Sequence, residues 1–574
     1  MNRFRSEAWF RGDDEIALLH RVALASGGIK LVPGGEQPII GVANSASELN
    51  PCNLPLRTLV AAVKEGVNQA GGVAVEFPTI SLGEDLMKPS AMLYRNLLAI
   101  EIEETLRANP LDGIVLLANC DKTVPGALMG AVSADLPTVL VTGGARPPAV
   151  FQGRRIGTGT DLWRLWDERR RGALSDEAWR QLEQCLGCGA GACNTMGTAS
   201  TMAILSEVLG LMVPGSSTIP AGDVRAEAAA MEAGRLAVAA ARHALRPSDI
   251  LSPMAFANAI RVLHAIGGST NAVIHLAALA GRVGVPFDLD DIRRLGVGVP
   301  VLADVEPSGA GLMQDFDAGG GVPALVRELS EVLDLTARNI ANTTLRDIVE
   351  AAPTASGAIR SRARPLRPDG AFAIVRGSLA PDGAIVKTSA ASRRLLRHCG
   401  PAVVFRGYED MLARIDAPDL EVTADSVLVL SGCGPVGVPG MPEWGMIPIP
   451  SKLITAGVDD MVRVTDARMS GTSFGTVALH VAPEAAVGGP LALVQDGDLV
   501  EIDVDAGRLD LKVAEHDLTN RLKSWTPPVS PHLRGGPALY RDHVLQAPEG
   551  CDLDFLRAPT RAHRRFIEPV IGRS

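Results

Sequence analysis

The sequence has 574 residues, and its 55 Lys and Arg against 65 Asp and Glu give a formal net charge of −10. This length predicts more than one domain, and the acidic balance excludes the basic surface that binding to nucleic acid or an anionic membrane needs. The N-terminus carries Asp13, Asp14 and Glu15 where a secretion signal needs an apolar core. Residues 271–285, the longest apolar stretch, are too interrupted to span a bilayer. We expect a cytoplasmic globular protein with no nucleic-acid partner and no membrane partner.

Between about residues 35 and 345, short β-branched runs alternate with helical stretches. Residues 113–120 predict a buried strand, 127–134 a helix and 137–144 a second strand, which together form a βαβ unit. The Ala-rich residues 223–245 have an acidic start and a basic end, which suit the dipole of a long helix. Such alternation predicts an α/β fold with a parallel sheet covered by helices on both faces.

The composition changes around residues 351–371, which are rich in Pro, Gly, Ser and Arg and have no hydrophobic period. We expect an α/β domain over residues 1–370 and a smaller, β-rich, barrel-like domain over residues 371–574. The polar tail, residues 519–574, is expected to wrap the surface. Short strands are predicted in the second domain at residues 427–430, 462–464, 477–481, 491–494, 499–504 and 509–513.

A glycine motif of the form G-x-G-x-x-G occupies Gly432–Gly437, directly after a predicted strand. This motif binds a dinucleotide only where the glycine turn opens a helix whose N-terminus faces the pyrophosphate. Three prolines within residues 435–442 oppose a helix there. A nicotinamide-dependent oxidoreductase is therefore kept only as the alternative from a different class.

The more informative cluster is Asn-Cys-Asp-Lys at residues 119–122, at the carboxyl end of the predicted buried strand, where α/β sheets bind ligands. A structural cysteine beside a helix-capping aspartate and a solvated lysine is the simpler interpretation of these four residues alone. Cys52 and Cys193 also lie in loop-like sequence, 68 and 73 residues away from Cys120. These intervals exclude a zinc ribbon or a ferredoxin-like pair, but they allow three loops to meet at one end of the sheet.

Seven sequence blocks strongly resemble the dihydroxy-acid and sugar-acid dehydratase family, and the resemblance runs from about Trp9 to Leu556. Within this family, the residues of these blocks most resemble the aldonate branch, that is, arabinonate or xylonate dehydratases. The blocks are PCN at 51–53, EFPTISLGED at 76–85, NCDKTVPG at 119–126, CNTMGTASTM at 193–202, AIGGSTNAVIH at 265–275, PGMPEWGMIPIP at 439–450 and TDARMSGTSFGTVALHVAPEA at 465–485.

The resemblance implies a hydro-lyase that uses a [2Fe–2S] cluster and Mg²⁺. By position, Cys52, Cys120 and Cys193 match the cluster ligands, which leaves one iron position open as a Lewis acid. Members of the family dehydrate 2,3-dihydroxy carboxylic acids to 2-keto-3-deoxy acids. The substrate partner is expected to be a sugar acid, with branched-chain dihydroxy acids or glycerate as alternatives. We also expect a homodimer or homotetramer.

The remaining site residues follow from the same resemblance. Glu84, Asp121 and Glu443 match magnesium-ligating carboxylates. Lys122 matches a lysine that relatives carry as a carbamate, since a bare ammonium cannot ligate a cation.

Two hydroxyl residues complete the predicted site. Ser470 matches the proposed base that removes the C2 proton, although a Ser-Gly pair standing alone would indicate a turn or a helix cap. Thr472 is expected to orient the substrate.

Other cysteines and two histidines fall outside this set. Cys185 and Cys188 form a C-x-x-C pair that allows a separate metal or redox site, and Cys433 lies in the glycine-proline loop. His275 and His480 are expected to be hydrogen-bonded core residues. A metal-binding regulator is disfavoured by the acidic charge and by the lack of a DNA-binding pattern.

Overall fold

The computed structural model describes residues 4–31, 36–558 and 567–572. The helices are α1 (Glu7–Phe10), α2 (Glu15–Ser26), α3 (Leu56–Gln69), α4 (Arg95–Ala108), α5 (Thr123–Ala134), α6 (Thr160–Arg170), α7 (Asp176–Leu186), α8 (Thr198–Val208), α9 (Val224–His243), α10 (Pro247–Ile250), α11 (Pro253–Ala265), α12 (Asn271–Val283), α13 (Leu289–Gly296), α14 (Met313–Ala318), α15 (Gly321–Glu328), α16 (Leu345–Ala351), α17 (Tyr408–Arg414), α18 (Ser451–Thr455), α19 (Glu515–Ser524) and α20 (Gly535–His543). The strands are β1 (Ile39–Asn44), β2 (Val73–Pro78), β3 (Gly113–Leu117), β4 (Thr138–Val141), β5 (Ala149–Phe151), β6 (Arg154–Ile156), β7 (Phe372–Val375), β8 (Gly383–Lys387), β9 (Arg397–Arg406), β10 (Val427–Ser431), β11 (Arg463–Thr465), β12 (Val477–Ala482), β13 (Leu499–Asp503) and β14 (Arg508–Leu511).

The N-terminal part is built on a parallel sheet with the strand order β2-β1-β3-β4. Every residue of β3 and β4 is buried, as expected for a parallel sheet whose faces are covered by helices. The predicted βαβ unit is confirmed as β3, α5 and β4, with Ile114 opposite Thr138 in a parallel pair.

The predicted long helix over residues 223–245 is observed as α9. The Asp223 side chain caps it by accepting a hydrogen bond from the backbone N–H of Arg225. This helix packs against α3, and the two backbones approach closely at Gly66 and Gly234. A Cβ on Gly66 would lie 1.9 Å from the carbonyl oxygen of Met231, so only glycine fits at this crossing.

The second sheet has the strand order β14-β13-β9-β10-β11-β12-β8-β7. Strands β9 to β12 pair in parallel, and antiparallel pairs flank them on both sides. A bridge between Arg376 and Arg508 brings the two edges together, so the sheet is a nearly closed barrel. Along β10, Val427 and Val429 join one apolar core while Leu428 and Leu430 join another, which is the period-two alternation of a strand covered on both faces. The predicted fold class, parallel α/β followed by a barrel-like β-rich part, is confirmed.

Two expectations for the C-terminal part are wrong. Residues 491–494 are not a strand, because Pro490, which cannot donate to a ladder, begins a short 3-10 helix at Pro490–Leu493. The tail does not only wrap the surface, because Asp552 is fully buried in an ion pair with Arg282. Tail residues 559–566 and 573–574 lie outside the described residues.

The division into domains at residues 370 and 371 stays a prediction. Within the described parts of the chain, no helix is both long enough and apolar enough to cross a bilayer.

Candidate active site

The loops after β1 and β3 lie side by side, and Asn53 ties them together. The Asn53 Oδ1 accepts hydrogen bonds from the backbone N–H groups of Asn119 (3.1 Å) and Cys120 (2.9 Å). In return, the Asn119 Nδ2 donates to the carbonyl oxygen of Cys52 at 2.7 Å. In the sequence, Asn53 is marked only as the last residue of the PCN block. The structure shows that this residue fixes the spacing of two candidate ligand loops.

The three predicted cluster cysteines are free thiols, and Cys52 lies close enough to Cys120 and to Cys193 to raise the pKa of both. A hydrogen bond with Cys52 that favours the protonated Cys120 thiol, together with burial, raises the pKa of Cys120 well above its ordinary value. Burial and then Cys52 raise the pKa of Cys193 to about 12. Three convergent thiols are a soft donor set, and they ionise when a metal binds because its charge stabilises the thiolates. The donor chemistry of these three residues therefore fits an iron–sulfur group.

The predicted carboxylates surround the ammonium group of Lys122, which is fully buried. The Nζ lies 2.5 Å from Asp121 Oδ2, 2.9 Å from Glu443 Oε1 and 3.9 Å from Glu84 Oε2. Burial alone would lower the pKa of Lys122, but Asp121 and Glu443 outweigh it and hold the pKa above the ordinary value. The structure thus gathers all four predicted metal-site residues around one position of positive charge.

Glu84 and Glu443 differ in how they are held. Burial raises the pKa of Glu84, whose carboxylate accepts hydrogen bonds from Ser90 Oγ (2.7 Å) and the Ala91 N–H (2.9 Å). Burial opposes ionisation of Glu443 too, but Lys122 and then Arg468 lower its pKa to about 2.

Three carboxylates about a buried cation are the hard oxygen donors that Mg²⁺ prefers, so the donor chemistry fits that ion. Within residues 4–31, 36–558 and 567–572, however, no three His, Cys, Asp or Glu side chains are arranged so that they could hold a metal ion as they stand. Lys122 Nζ lies among the carboxylates. Binding of Mg²⁺ therefore requires this ammonium to be displaced or modified.

Arg468 is a site residue that sequence reasoning missed, although it lies in one of the quoted blocks. Its guanidinium is fully buried and donates to Glu443 Oε1 (2.8 Å), Ser90 Oγ (2.8 Å) and the carbonyl oxygen of Met441 (2.7 Å). The sequence signal for this role was its position in the block that also contains Ser470. Arg468 braces two of the predicted carboxylates, since Ser90 in turn bonds Glu84.

The predicted serine lies on a tight loop after β11. Ser470 Oγ is 3.0 Å from Thr472 Oγ1, and that oxygen also accepts a hydrogen bond from Trp163 Nε1 at 3.2 Å. Thr160 Oγ1 donates to the Thr472 carbonyl oxygen at 2.7 Å. Ser470 is half-buried and Thr472 is buried. Trp163 and Thr160, both on α6, are further positioning residues that no pattern in the sequence had indicated.

A hydrogen-bonded chain connects the carboxylates with the serine loop. Asn271 Nδ2 donates to Glu443 Oε1 (2.7 Å) and to Thr198 Oγ1 (3.1 Å), which is 2.8 Å from Ser269 Oγ. Ser269 packs against Gly471, where a Cβ would lie 2.7 Å from its Oγ. Strand-like pairing of residues 444 and 469 joins the same two segments. The carboxylates and the serine loop therefore belong to one connected site.

The glycine loop does not have the geometry of a dinucleotide site. Its backbone N–H groups are already used: those of Gly432 and Cys433 donate to Asp466, and those of Val436 and Gly437 donate to Glu484. The next helix among the described residues is α18, which begins only at residue 451. The buried carboxylates of Asp466 and Glu484 therefore accept the backbone hydrogen bonds that a pyrophosphate would need.

The remaining cysteines are not grouped with the three thiols. Cys188 is exposed, with its sulfur 3.5 Å from the carbonyl oxygen of Pro147, and Cys185 packs at the end of α7. Cys433 is buried, and burial raises its pKa. A separate role for the C-x-x-C pair stays a prediction.

His275 and His480 are buried as expected, but the Nε2 atom of each has no hydrogen-bond partner among the described residues. Burial, followed by Arg468, lowers the pKa of His480 to about 3, so its ring is neutral. The expected core position is therefore confirmed for both histidines, whereas hydrogen bonding at Nε2 is found for neither within the described residues. His275 gains one bond, with its Nδ1 3.0 Å from Arg95.

Comparison with known proteins identifies the class. Residues 37–348 match the N-terminal part of the dihydroxy-acid/6-phosphogluconate dehydratase family, and residues 357–551 match its C-terminal part. The chain is thus a dehydratase, which is a hydro-lyase. It belongs to the dihydroxy-acid/6-phosphogluconate dehydratase family, as the sequence blocks predicted.

Full-length relatives agree with this assignment. L-arabonate dehydratase of Azospirillum brasilense is 47% identical over 564 residues, which cover 96% of this chain and 97% of the relative. 6-Deoxy-6-sulfo-D-gluconate dehydratase of Pseudomonas putida is 45% identical, with 97% of both chains covered. Dihydroxy-acid dehydratase of Methanothrix thermoacetophila is 40% identical, with 90% of this chain and 94% of the relative covered.

Proposed function

We propose that the protein dehydrates a sugar acid of the aldonate type to its 2-keto-3-deoxy acid, using a [2Fe–2S] cluster and Mg²⁺. The observation that supports the proposal is that Cys52 interacts with Cys120 and Cys193, next to three carboxylates around Lys122 that are linked through Asn271 to the Ser470 loop. Cys120 Sγ lies 3.4 Å from Asp121 Oδ1, so the soft and the hard donor sets are neighbours.

In this proposal Cys52, Cys120 and Cys193 hold the cluster, and Glu84, Asp121, Glu443 and a carbamylated Lys122 hold Mg²⁺. When bound, these groups supply Lewis acidity toward the 3-hydroxyl and toward the carboxylate and 2-hydroxyl of the substrate. Carbamylation suits a lysine enclosed by carboxylates, because it replaces the ammonium with an anionic oxygen donor.

Ser470 Oγ accepts the proton from C2 of the substrate. A serine hydroxyl ordinarily has far too high a pKa to serve as a base, so the role requires nearby positive charge. Thr472 Oγ1, held by Trp163, keeps Ser470 Oγ in place through the 3.0 Å contact. Loss of the C2 proton and breaking of the C3–O bond form the C2–C3 double bond of the enol, which tautomerises to the keto acid. The departing hydroxide takes up the proton held by Ser470 Oγ and leaves as water.

The sugar-acid assignment follows the relatives. Those named for arabonate, arabinonate and sulfogluconate are 43–47% identical to this chain, whereas those named dihydroxy-acid dehydratase are 38–40% identical.

We also propose a cytoplasmic homodimer or homotetramer. Analytical ultracentrifugation of the purified protein tests the oligomeric state.

The experiment is anaerobic purification followed by iron and sulfide analysis and a keto-acid release assay. The substrates are C3 to C6 dihydroxy and polyhydroxy acids, assayed with and without Mg²⁺. We expect two irons per chain and turnover of C5 or C6 aldonates that depends on Mg²⁺. Turnover restricted to branched-chain dihydroxy acids would overturn the substrate assignment. A colourless protein that binds NAD would overturn the whole proposal.

A further inference from the structure

Arg146 lies in the loop after β4, and its backbone is paired with the segment that leads to Cys193. The Arg146 N–H donates to the carbonyl oxygen of Ala192 at 2.9 Å, and the Ala192 N–H donates to that of Gly144 at 3.0 Å. The position of Arg146 is therefore fixed by main-chain hydrogen bonds next to one of the three candidate ligand loops.

The side chain of Arg146 reaches a second ligand loop. Its Nε donates to the Gly191 carbonyl oxygen at 3.1 Å, and its Nη2 lies 4.0 Å from the sulfur of Cys52. The Gly191 N–H in turn donates to the carbonyl oxygen of Pro51 at 3.0 Å. Gly191 has a φ of +132°, and a Cβ there would lie 2.7 Å from the Arg146 nitrogen, so this close junction needs glycine.

The charges at this junction are complementary. Burial would lower the pKa of Arg146, but the thiols of Cys193 and Cys52 and then Asp85 act in the opposite direction and raise it. A single guanidinium thus lies beside the Cys52 sulfur and on the loop that carries Cys193, where its charge opposes negative charge on these sulfurs.

We infer that Arg146 is a positioning residue that ties the Cys52 and Cys193 loops together and offsets the negative charge of the metal centre they hold. This inference rests on the iron–sulfur cluster in the proposed function. Two ferric ions, two sulfides and three thiolates sum to a charge of −1, and reduction by one electron makes it −2. A fixed cation stabilises the more negative state more strongly, because the attraction grows with charge. Arg146 therefore raises the reduction potential of the cluster.

The test compares wild type with Arg146→Met, which removes the charge but keeps a long side chain. Each protein is loaded anaerobically with iron and sulfide, reduced stepwise with dithionite, and followed by visible absorption and electron paramagnetic resonance. We expect at least a tenfold shift of the reduction equilibrium toward the oxidised state, which corresponds to about 59 mV for a one-electron couple. We also expect iron to pass to a chelator several-fold faster.

Two further variants separate charge from packing. Arg146→Lys keeps the charge and loses the bond from Nε to Gly191, so its potential should stay near wild type while its iron is released faster. Arg235→Met, on the outer side of α9, removes a remote arginine and should change neither quantity. If the methionine variant does not fold, Arg146→Gln carries the same measurements.

The outcomes distinguish the two proposals. A wild type that holds no iron–sulfur cluster after loading overturns the cofactor of the proposed function, and the role of Arg146 with it. A wild type that holds the cluster, together with an Arg146→Met protein of unchanged potential and unchanged iron release, overturns the role of Arg146 alone.

Discussion

Lys122 and Arg468 share one carboxylate oxygen. The Nζ of Lys122 lies 2.9 Å from Glu443 Oε1, and the Nη1 of Arg468 lies 2.8 Å from the same atom. Both cations are fully buried, and they approach Glu443 from different parts of the chain. One acidic residue of the barrel part thus joins the lysine of the parallel-sheet part to an arginine of its own part.

Replacing Arg468 with methionine should lower Mg²⁺-dependent turnover by about 10–100-fold, as is usual when a residue that orients a metal ligand is lost. The reason is that Glu443 loses one of its three donors, and Ser90 loses the guanidinium that holds it. The measurement is turnover against Mg²⁺ concentration at constant folded protein. Arg463→Met is the matched control, since Arg463 is equally buried in the barrel but pairs with Asp460. Equal losses in both variants would contradict the assignment.

Ser470→Ala should keep its iron and lose turnover by about 100-fold or more, the range expected for a general base. Ser473→Ala is a close control, because Ser473 is buried three residues away and its hydroxyl has no hydrogen-bond partner among the described residues. Removing that hydroxyl should leave turnover unchanged. Retained activity in Ser470→Ala would remove this serine from the proton transfer.

Lys387→Met should stabilise the protein. Lys387 is buried in β8, its Nζ has no hydrogen-bond partner within the described chain, and burial lowers its pKa to about 7. The fold therefore disfavours the ammonium form. The penalty is complete below pH 7 and disappears above about pH 10.5, where the unfolded chain also loses the proton. The shift corresponds to a penalty on the order of 5 kcal/mol.

The measurement for Lys387→Met is urea unfolding at pH 6 and pH 10, with the exposed Lys523→Met as control. The variant should gain several kcal/mol in the free energy of unfolding at pH 6 and much less at pH 10. A variant no more stable than wild type at pH 6 would show that the ammonium is satisfied in the folded state.

Asp552→Asn should destabilise the fold by about 3 kcal/mol, near the lower end for a broken buried ion pair. Asp552 makes two bonds to Arg282, at 2.6 and 3.0 Å, and Glu103 at 3.3 Å remains as a weaker partner for the arginine. Thermal unfolding of the variant is compared with that of Asp554→Asn, whose carboxylate is exposed. Equal melting temperatures for the two variants would contradict a structural role for the tail.

The sequence predicted those parts of the fold that depend on local periodicity. The βαβ unit around Cys120 and the long helix α9 have strong patterns and were placed within a few residues. The strand expected at residues 491–494 failed because an apolar run cannot by itself distinguish a strand from a 3-10 turn. The burial of Asp552 was missed because its partner, Arg282, lies 270 residues away.

The candidate site shows the same division. The cysteines, the carboxylates and the serine were identified from whole sequence blocks. Parallel strands place the loops that follow them at one end of the sheet, which allows the cysteine loops to lie close together. Asn53, Trp163 and Arg146 act through hydrogen bonds to other residues, so no motif marks them. Such supporting roles depend on residues that are distant in the chain and become neighbours only in the folded protein. The sequence alone does not show which residues these are.

The order of the site residues along the chain has a consequence for biosynthesis. All three thiols and Lys122 have been made by the time the ribosome reaches the end of α8 at residue 208, whereas Glu443 and Arg468 are still to come. A growing polypeptide therefore carries the three candidate sulfur ligands well before Glu443 and Arg468 are made. Iron delivered during translation would therefore meet the three thiols before the barrel part supplies Glu443 as a partner of Lys122.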